Sequence, residues 1–283
     1  MNYRHAFHAG NFADVFKHAI LTGLIESLKA KQTPFHYFDT HAGAGRYDLR
    51  GDEARKTREH ESGVQRLLEA VRLPALLHIY LNLVRALNAG INAHDVAIYL
   101  GSPLIASLLM RETDHATLCE LQAGETAALK KLFAGDARIA VHQRDGYAAM
   151  DALLPPPERR GLVLIDPPFE AQEAEFDTIE AALAKALVRW PTGMYAIWYP
   201  IKLRQPTASF LRSFVRRKIP KVLCAELLLH PDNSALRLNG CGMVIVNPPW
   251  KFDRQLAELM PALREHLAQG RFGQQRVEWL TGE

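Results

Sequence analysis

The run Gly161-Leu162-Val163-Leu164-Ile165-Asp166-Pro167-Pro168-Phe169 limits what this chain can fold into more than any other feature. An uninterrupted apolar segment of this length, with Val163 and Ile165 as β-branched members, has the character of a strand buried on both faces, which belongs in a parallel sheet. The prolines stop it, because proline cannot donate to a sheet ladder. Asp166 is thereby placed at the carboxyl end of a parallel strand, the edge at which open α/β sheets bind their ligands.

From Phe35 onward, similar apolar runs alternate with amphipathic ones, which predicts a mostly parallel sheet wrapped by helices. Strands are expected over 35–39, 116–120, 138–143, 161–166, 194–199, 222–229 and 242–247, with 277–280 as a weak edge strand. The helices between them carry ordinary signals. Ser102 reads as an N-cap with Pro103 at the first helical position, and Gly135 closes the helix that holds Leu129, Leu132 and Phe133. Pro155, Pro156 and Pro157 mark a loop, and Pro191 ends the helix that follows Asp166.

Two segments stand outside this alternation. Residues 1–31 read as a loop and a helix, with Asn11 as N-cap and Asp14 as a box-like partner. Residues 49–94 open with a highly charged run over 51–61 and continue as two helical patterns, which predicts a small inserted helical subdomain. The expected organisation is one sheet domain built from 1–48 and 95–283, with 49–94 inserted beside the binding crevice.

Composition narrows the class. With 283 residues and 48% hydrophobic content, the chain can bury a large core in one domain. Residues 73–84 form the longest weakly charged stretch, too short to span a bilayer, and the amino terminus lacks a hydrophobic signal core, so a cytoplasmic protein without membrane contact is expected. Cys119, Cys224 and Cys241 are far apart and form no metal-ligand spacing, which predicts neither disulfides nor a metal site. The formal charge of +3 is only mildly basic. Cations cluster at Arg212, Arg216, Arg217, Lys218 and Lys221, which reads as a solvated helix face or, alternatively, a phosphate contact; Tyr3, Arg4, His5, His8, Lys17 and His18 crowd the amino terminus.

The order Asp166-Pro167-Pro168-Phe169 suits methylation of an exocyclic amine. The amine of adenine is a poor nucleophile because its lone pair is delocalised into the ring. Two acceptors on its N–H bonds, the Asp166 carboxylate and the Pro167 carbonyl, favour a pyramidal nitrogen whose lone pair faces an incoming methyl, while Phe169 stacks on the base. Acids also stand at or just past the first four strands: Asp39, Glu120, Asp145 and Asp166. Such a rim repels phosphate and suits S-adenosylmethionine, which carries an ammonium, a sulfonium and two ribose hydroxyls. Glu120 is the expected ribose acceptor and Asp145 with Gly146 the adenine contact. His41, Gly43 and Gly45 are expected against the methionine part, with Ser102 as a further polar contact. Gly43 and Gly45 lack the third glycine of a dinucleotide fingerprint, which argues against a nicotinamide dehydrogenase.

Asn247-Pro248-Pro249-Trp250 repeats the motif's form after another strand. If that strand runs antiparallel to the rest, its end points away from the crevice and Asn247 is only a turn residue, whereas the 230–240 loop emerges on the crevice side and brings Arg237 within reach of a phosphate.

The blocks Tyr3-Arg4-His5, His8, Asn11, Lys17-His18, Asp39-Thr40-His41-Ala42-Gly43-Ala44-Gly45-Arg46-Tyr47, Gly101-Ser102-Pro103, Asp145-Gly146 and Ile165-Asp166-Pro167-Pro168 resemble the RlmJ family of bacterial ribosomal RNA adenine N6-methyltransferases over nearly the whole chain. The resemblance implies a Rossmann-like class I S-adenosylmethionine-dependent methyltransferase fold acting, as a monomer, on one adenine of large-subunit (23S) ribosomal RNA. It places His18, His41, Ser102, Glu120, Asp145 and Asp166 at cofactor contacts and implies that Tyr3, His5 and Lys17 matter for activity. Phe169 departs from the family's usual tyrosine, which keeps the stacking face and loses a hydroxyl. The alternatives are an amino-methyltransferase acting on DNA adenine or protein glutamine, and a non-catalytic cofactor-binding RNA module.

Overall fold

In the computed structural model, which describes residues 4–92, 95–235 and 237–282, the apolar runs do assemble into a sheet. In chain order the strands are β1 (His36–Asp39), β2 (Arg46–Asp48), β3 (Ile98–Leu100), β4 (His115–Glu120), β5 (Ile139–Gln143), β6 (Gly161–Ile165), β7 (Met194–Ile201), β8 (Val222–Leu228), β9 (Gly240–Val246) and β10 (Gln274–Thr281). The helices are α1 (Phe12–Lys29), α2 (Asp52–Thr57), α3 (Glu59–Ser62), α4 (Val64–Leu68), α5 (Ala75–Leu87), α6 (Ser102–Leu109), α7 (Ala123–Leu132), α8 (Gly146–Leu153), α9 (Gln172–Arg189), α10 (Arg204–Arg216) and α11 (Phe252–Leu267), preceded by a single 3-10 turn at His5–Phe7.

Eight strands form one sheet in the order β10-β8-β9-β7-β6-β1-β4-β5. β5, β4, β1, β6 and β7 are parallel, whereas β9 runs antiparallel between β7 and β8, and β10 pairs antiparallel with β8 at the edge. Alternation sorts the strand side chains into two layers. Leu162 and Leu164 join the core beneath α1 and α11, and Val163 and Ile165 join the core beneath α8, α9 and α10.

α1 is a deeply enclosed helix, with 14 of its 18 residues buried. The sheet lies on one side of it and α5 on another, so Asp14, Lys17 and His18 are carried inside with it. Burying such groups is costly unless they are paired, and their partners define the site described below. Asn11 caps α1 as expected, accepting from the Ala13 and Asp14 amides at 3.0 and 2.9 Å. Asp14 does not complete the box on Asn11; its carboxylate takes the Gly10 amide instead, at 3.0 Å.

Several local expectations need correction. Gly101, not Ser102, is the N-cap of α6, and Ser102 is already helical. The two helical patterns after the charged run are α4 and α5, but the run itself is also helical, as α2 and α3, and the segment is bracketed by the antiparallel pair β2–β3, which no periodicity announces. The weak edge strand is in fact eight residues long. Among the described residues no helix is long and apolar enough to cross a membrane, and no group of three His, Cys, Asp or Glu side chains is arranged to hold a metal ion.

Candidate active site

A cavity of about 1330 Å³ opens at the carboxyl ends of β1, β4, β5, β6 and β7. Glu120 ends β4, Asp145 follows β5 as the cap of α8, and Asp166 follows β6, so the three acids line one crevice. Asp39 lies just beneath it, wholly buried, accepting from Tyr37 Oη at 2.6 Å and Ser102 Oγ at 2.7 Å. Burial raises the Asp39 carboxyl to about 6, despite those donors.

The half of the crevice at β1, β4 and β5 is built on backbone. Glu120 accepts the Gly43 amide at 2.9 Å on one oxygen and the Gln122 amide at 2.8 Å on the other, and each oxygen keeps a lone pair for a ligand. Gly43 sits at φ +59°, a conformation L side chains resist. At Gly146 a Cβ would collide with the Thr40 carbonyl, so only glycine lets α8 begin this close to β1. His41 bonds Thr40 Oγ1 at 2.8 Å and meets Tyr147 edge-on at 5.2 Å. Burial pushes its imidazole down to about 4, so it is neutral at neutral pH. The donor set is therefore carboxylates, a neutral imidazole, hydroxyls and amides, which fits a cationic nucleoside such as S-adenosylmethionine.

Asp166 is held from across the chain. Lys17 Nζ lies 2.6 Å from Asp166 Oδ2 and 2.9 Å from Asp14 Oδ1, and sits 5.8 Å from the centre of the Trp198 ring. Asp14 Oδ2 meets His5 Nε2 at 2.9 Å. Burial alone would raise Asp14, yet His5 and Lys17 hold its carboxyl well below the usual range. The chain His5, Asp14, Lys17, Asp166 thus alternates potential cation and anion along one line. Phe169 is half-buried beside it, edge-on to Phe176 at 5.6 Å and to Trp198 at 5.7 Å. Pro167 lines the cavity next to it.

The residues expected in the site are mostly gathered here. His5, Lys17, His18, His41, Gly43, Ser102, Glu120, Asp145, Gly146, Asp166, Pro167 and Phe169 all line the cavity. His18 is almost fully buried, bonds Tyr99 Oη at 2.8 Å and is driven well below its usual range by burial and by Lys17. Gly45 does not line the cavity: it packs on Leu129 and Leu132 and accepts the Gly101 amide at 2.9 Å. Tyr3 lies outside the described residues.

Sequence reasoning missed other lining residues. Tyr47 packs on His5 at 4.8 Å, and Tyr147 donates to Glu175 at 2.5 Å. Tyr147 follows Asp145-Gly146 directly, a position that could have flagged it. Asn247 lies at the far edge of the sheet, as the antiparallel course of β9 requires: its amide donates to the Pro191 and Gly193 carbonyls at 2.9 and 2.8 Å. The cationic residues Arg216, Arg217, Lys218 and Lys221 are exposed at that same far edge, where α10 returns to the start of β8.

A family model described as ribosomal RNA large subunit methyltransferase D, RlmJ, matches residues 32–281. Proteins named ribosomal RNA large subunit methyltransferase J from Escherichia coli K12 and Haemophilus influenzae are each 41% identical to this chain over 283 residues, covering the whole of both chains. The crystal structure of protein LPL1258 from Legionella pneumophila superposes with a TM-score of 0.87 at 35% identity, covering 96% of this chain and 98% of that one. With most of its length matched by the family model and all of it aligned to those relatives, the chain belongs to the RlmJ family of large-subunit ribosomal RNA methyltransferases.

Proposed function

We propose that this protein transfers the methyl group of S-adenosylmethionine to the exocyclic N6 amine of one adenine in 23S ribosomal RNA. The observation that carries the reading is the Asp166 carboxylate at the end of β6, facing the same cavity as Glu120 and Asp145 with Phe169 beside it. The full-length relatives named for large-subunit ribosomal RNA methylation support the choice of substrate.

When bound, S-adenosylmethionine supplies an electrophilic methyl on a sulfonium. Glu120 would hold its ribose, Asp145 and Gly146 its adenine, and Gly43, His41 and Ser102 its methionine end, with His18 behind them. Lys17 occupies Oδ2 of Asp166, which leaves Oδ1 for the adenine amine. The Pro167 carbonyl would accept a hydrogen bond from the second amine N–H, and the proton shed by the nitrogen on methylation would pass to solvent. These acceptors and the Phe169 ring fix the nitrogen in line with the methyl, so positioning and aimed electrostatics provide the rate enhancement. Residues 49–94 serve as a helical insertion walling the crevice, where Glu59 and Ser62 line the cavity. The protein works as a cytoplasmic monomer in this reading and needs no metal ion.

The test is transfer of labelled methyl to ribosomal RNA from cells lacking the protein, with the product nucleoside identified by mass spectrometry. N6-methyladenosine in 23S RNA is the expected product. Cofactor binding without transfer to that RNA would overturn the reading and direct attention to DNA adenine or protein glutamine.

A further inference from the structure

The strand order separates two acids of the crevice from two of its cations, with Lys17, Asp166 and Glu170 lying between them. On the side of β1, β4 and β5 stand Glu120 and Asp145; on the side of β7 and β9 stand Lys202 and Arg237, and Asp166 on β6 marks the boundary. Lys202 follows the last residue of β7, one strand outward from Asp166, and Arg237 lies in the β8–β9 loop, next outward again. Among the described residues neither cation meets a carboxylate, whereas the neighbouring Arg204 and Arg276 both meet Glu226.

A buried residue couples the two. Asn239 is fully enclosed, and its side-chain amide donates to the Lys202 carbonyl at 2.5 Å and the Ser234 carbonyl at 2.7 Å, while its oxygen accepts Arg237 Nε at 3.1 Å. Its backbone amide also donates to the Ile201 carbonyl at 2.9 Å, tying the loop to the end of β7. With Nε engaged, the terminal nitrogens of Arg237 are held in a fixed plane, the geometry that suits a bidentate phosphate. Partial burial and the Arg237 guanidinium together push the neighbouring His230 below its usual range. Two cations at the mouth of a crevice, one with its guanidinium oriented by Asn239 and the other with its backbone tied to the same residue, suit the binding of an anion.

We propose that Lys202 and Arg237 grip the phosphodiester backbone of the RNA beside the flipped adenosine, with Asn239 setting the distance between them. The inference rests on the RNA methylation reading and adds the direction of entry: the strand arrives over β7 and β9, away from the cofactor acids.

The test compares Lys202→Gln, Arg237→Gln and the double variant with the wild type in methylation of a 23S transcript across a salt series. Each single change should lower kcat/KM for RNA about tenfold near physiological salt and flatten its log–log salt dependence by roughly 0.7 to 0.9. The kcat at saturating RNA should stay within about twofold and S-adenosylmethionine affinity should not change, because neither residue touches the reacting atoms. Arg212→Gln combined with Arg216→Gln, on the exposed face of α10, should leave the salt slope as it is. An unaltered slope in the Lys202 and Arg237 variants would overturn the proposal, as would a flattened slope in the α10 variant alone or a loss confined to kcat. If the wild type methylates no RNA, the same slopes are read from filter binding of the transcript, so failure of the methylation reading and failure of this one remain separable.

Discussion

Ile165-Asp166-Pro167-Pro168-Phe169 and Val246-Asn247-Pro248-Pro249-Trp250 are nearly the same words in the sequence, yet they lie at opposite ends of one sheet. β6 runs parallel to its neighbours and delivers Asp166 into the crevice; β9 runs antiparallel and delivers Asn247 to the far edge. There Asn247 adopts φ +54° and spends its side-chain amide on two carbonyls, and Trp250 is 85% exposed with Lys251 beside it. Asp166 instead meets a buried lysine, and Phe169 is wedged between two aromatic rings. The difference teaches that strand direction decides whether such a tetrapeptide is chemistry or punctuation.

The largest expected effect breaks the comparison outright. Asp166→Ala should cut single-turnover methyl transfer by roughly 10³ while retaining cofactor affinity. Asn247→Ala should leave turnover intact and lower stability by about 0.5–1.5 kcal/mol, since one exposed and one part-buried carbonyl lose their donor. Asn247→Asp placed in the Asp166→Ala protein should restore nothing.

Lys17→Met removes a cation that only one of the two motifs possesses. Breaking a buried pair costs about 3–5 kcal/mol, to be read in denaturant melts. The pH dependence carries a sign. Asp14 titrates well below its ordinary value in the folded protein, so the stability it contributes is present above the unfolded carboxylate range and is lost as pH falls through the folded value. Lys17→Met should move that acid loss upward in pH.

Phe169→Ala should reduce kcat/KM for RNA by roughly 1–3 kcal/mol of lost base stacking, whereas Trp250→Ala should change neither activity nor stability by more than about 0.5 kcal/mol. The smallest effect concerns the amino-terminal segment before α1, which is tied to α3. His8 bonds Glu59 of α3 at 3.0 Å, and that bond raises His8 above its usual value against the effect of partial burial. Burial would raise Glu59, but the His8 and Asn11 bonds hold it low. The pair's contribution is therefore full between the ordinary carboxylate and imidazole ranges, fading as pH rises through the folded His8 value or falls through that of Glu59. Glu59→Gln should flatten this profile in limited proteolysis of the first eleven residues, by under about 1 kcal/mol for so exposed a pair.

The sheet was legible because each strand's apolar run is bounded by a breaker or an acid, and strand termini can be read one at a time. Glu120, Asp145 and Asp166 came from that logic alone, and the turn reading of Asn247 came from topology. What escaped was either too short or too distant. Arg46-Tyr47-Asp48 and Ile98-Tyr99-Leu100 are three-residue strands whose pairing spans the whole insertion. The contact of Lys17 with Asp166 joins residues 149 positions apart, and no local pattern encodes it. Gly45 reads as a ligand glycine beside Gly43, yet only Gly43 lines the cavity, and a Cβ at Gly45 would meet Leu129 and Leu132, a difference no local pattern encodes. Asn239 gave no signal, since a buried amide that organises a loop is spelled like any turn residue.

The β2–β3 pair brings Asp48 opposite Ile98, so everything between departs from and returns to one point. Closing such a loop costs little more as it grows, about 0.6 kcal/mol for each doubling of length. The outer helices of that segment can accordingly be exchanged, lengthened or trimmed in relatives without shifting the register of a single strand in the main sheet. α5 is the fixed part of the fitting, because it packs along α1, and its Tyr80 bonds Tyr99, which in turn bonds the buried His18. The loop between β2 and β3 can vary in length, while the lysine that holds Asp166 stays buried within α1.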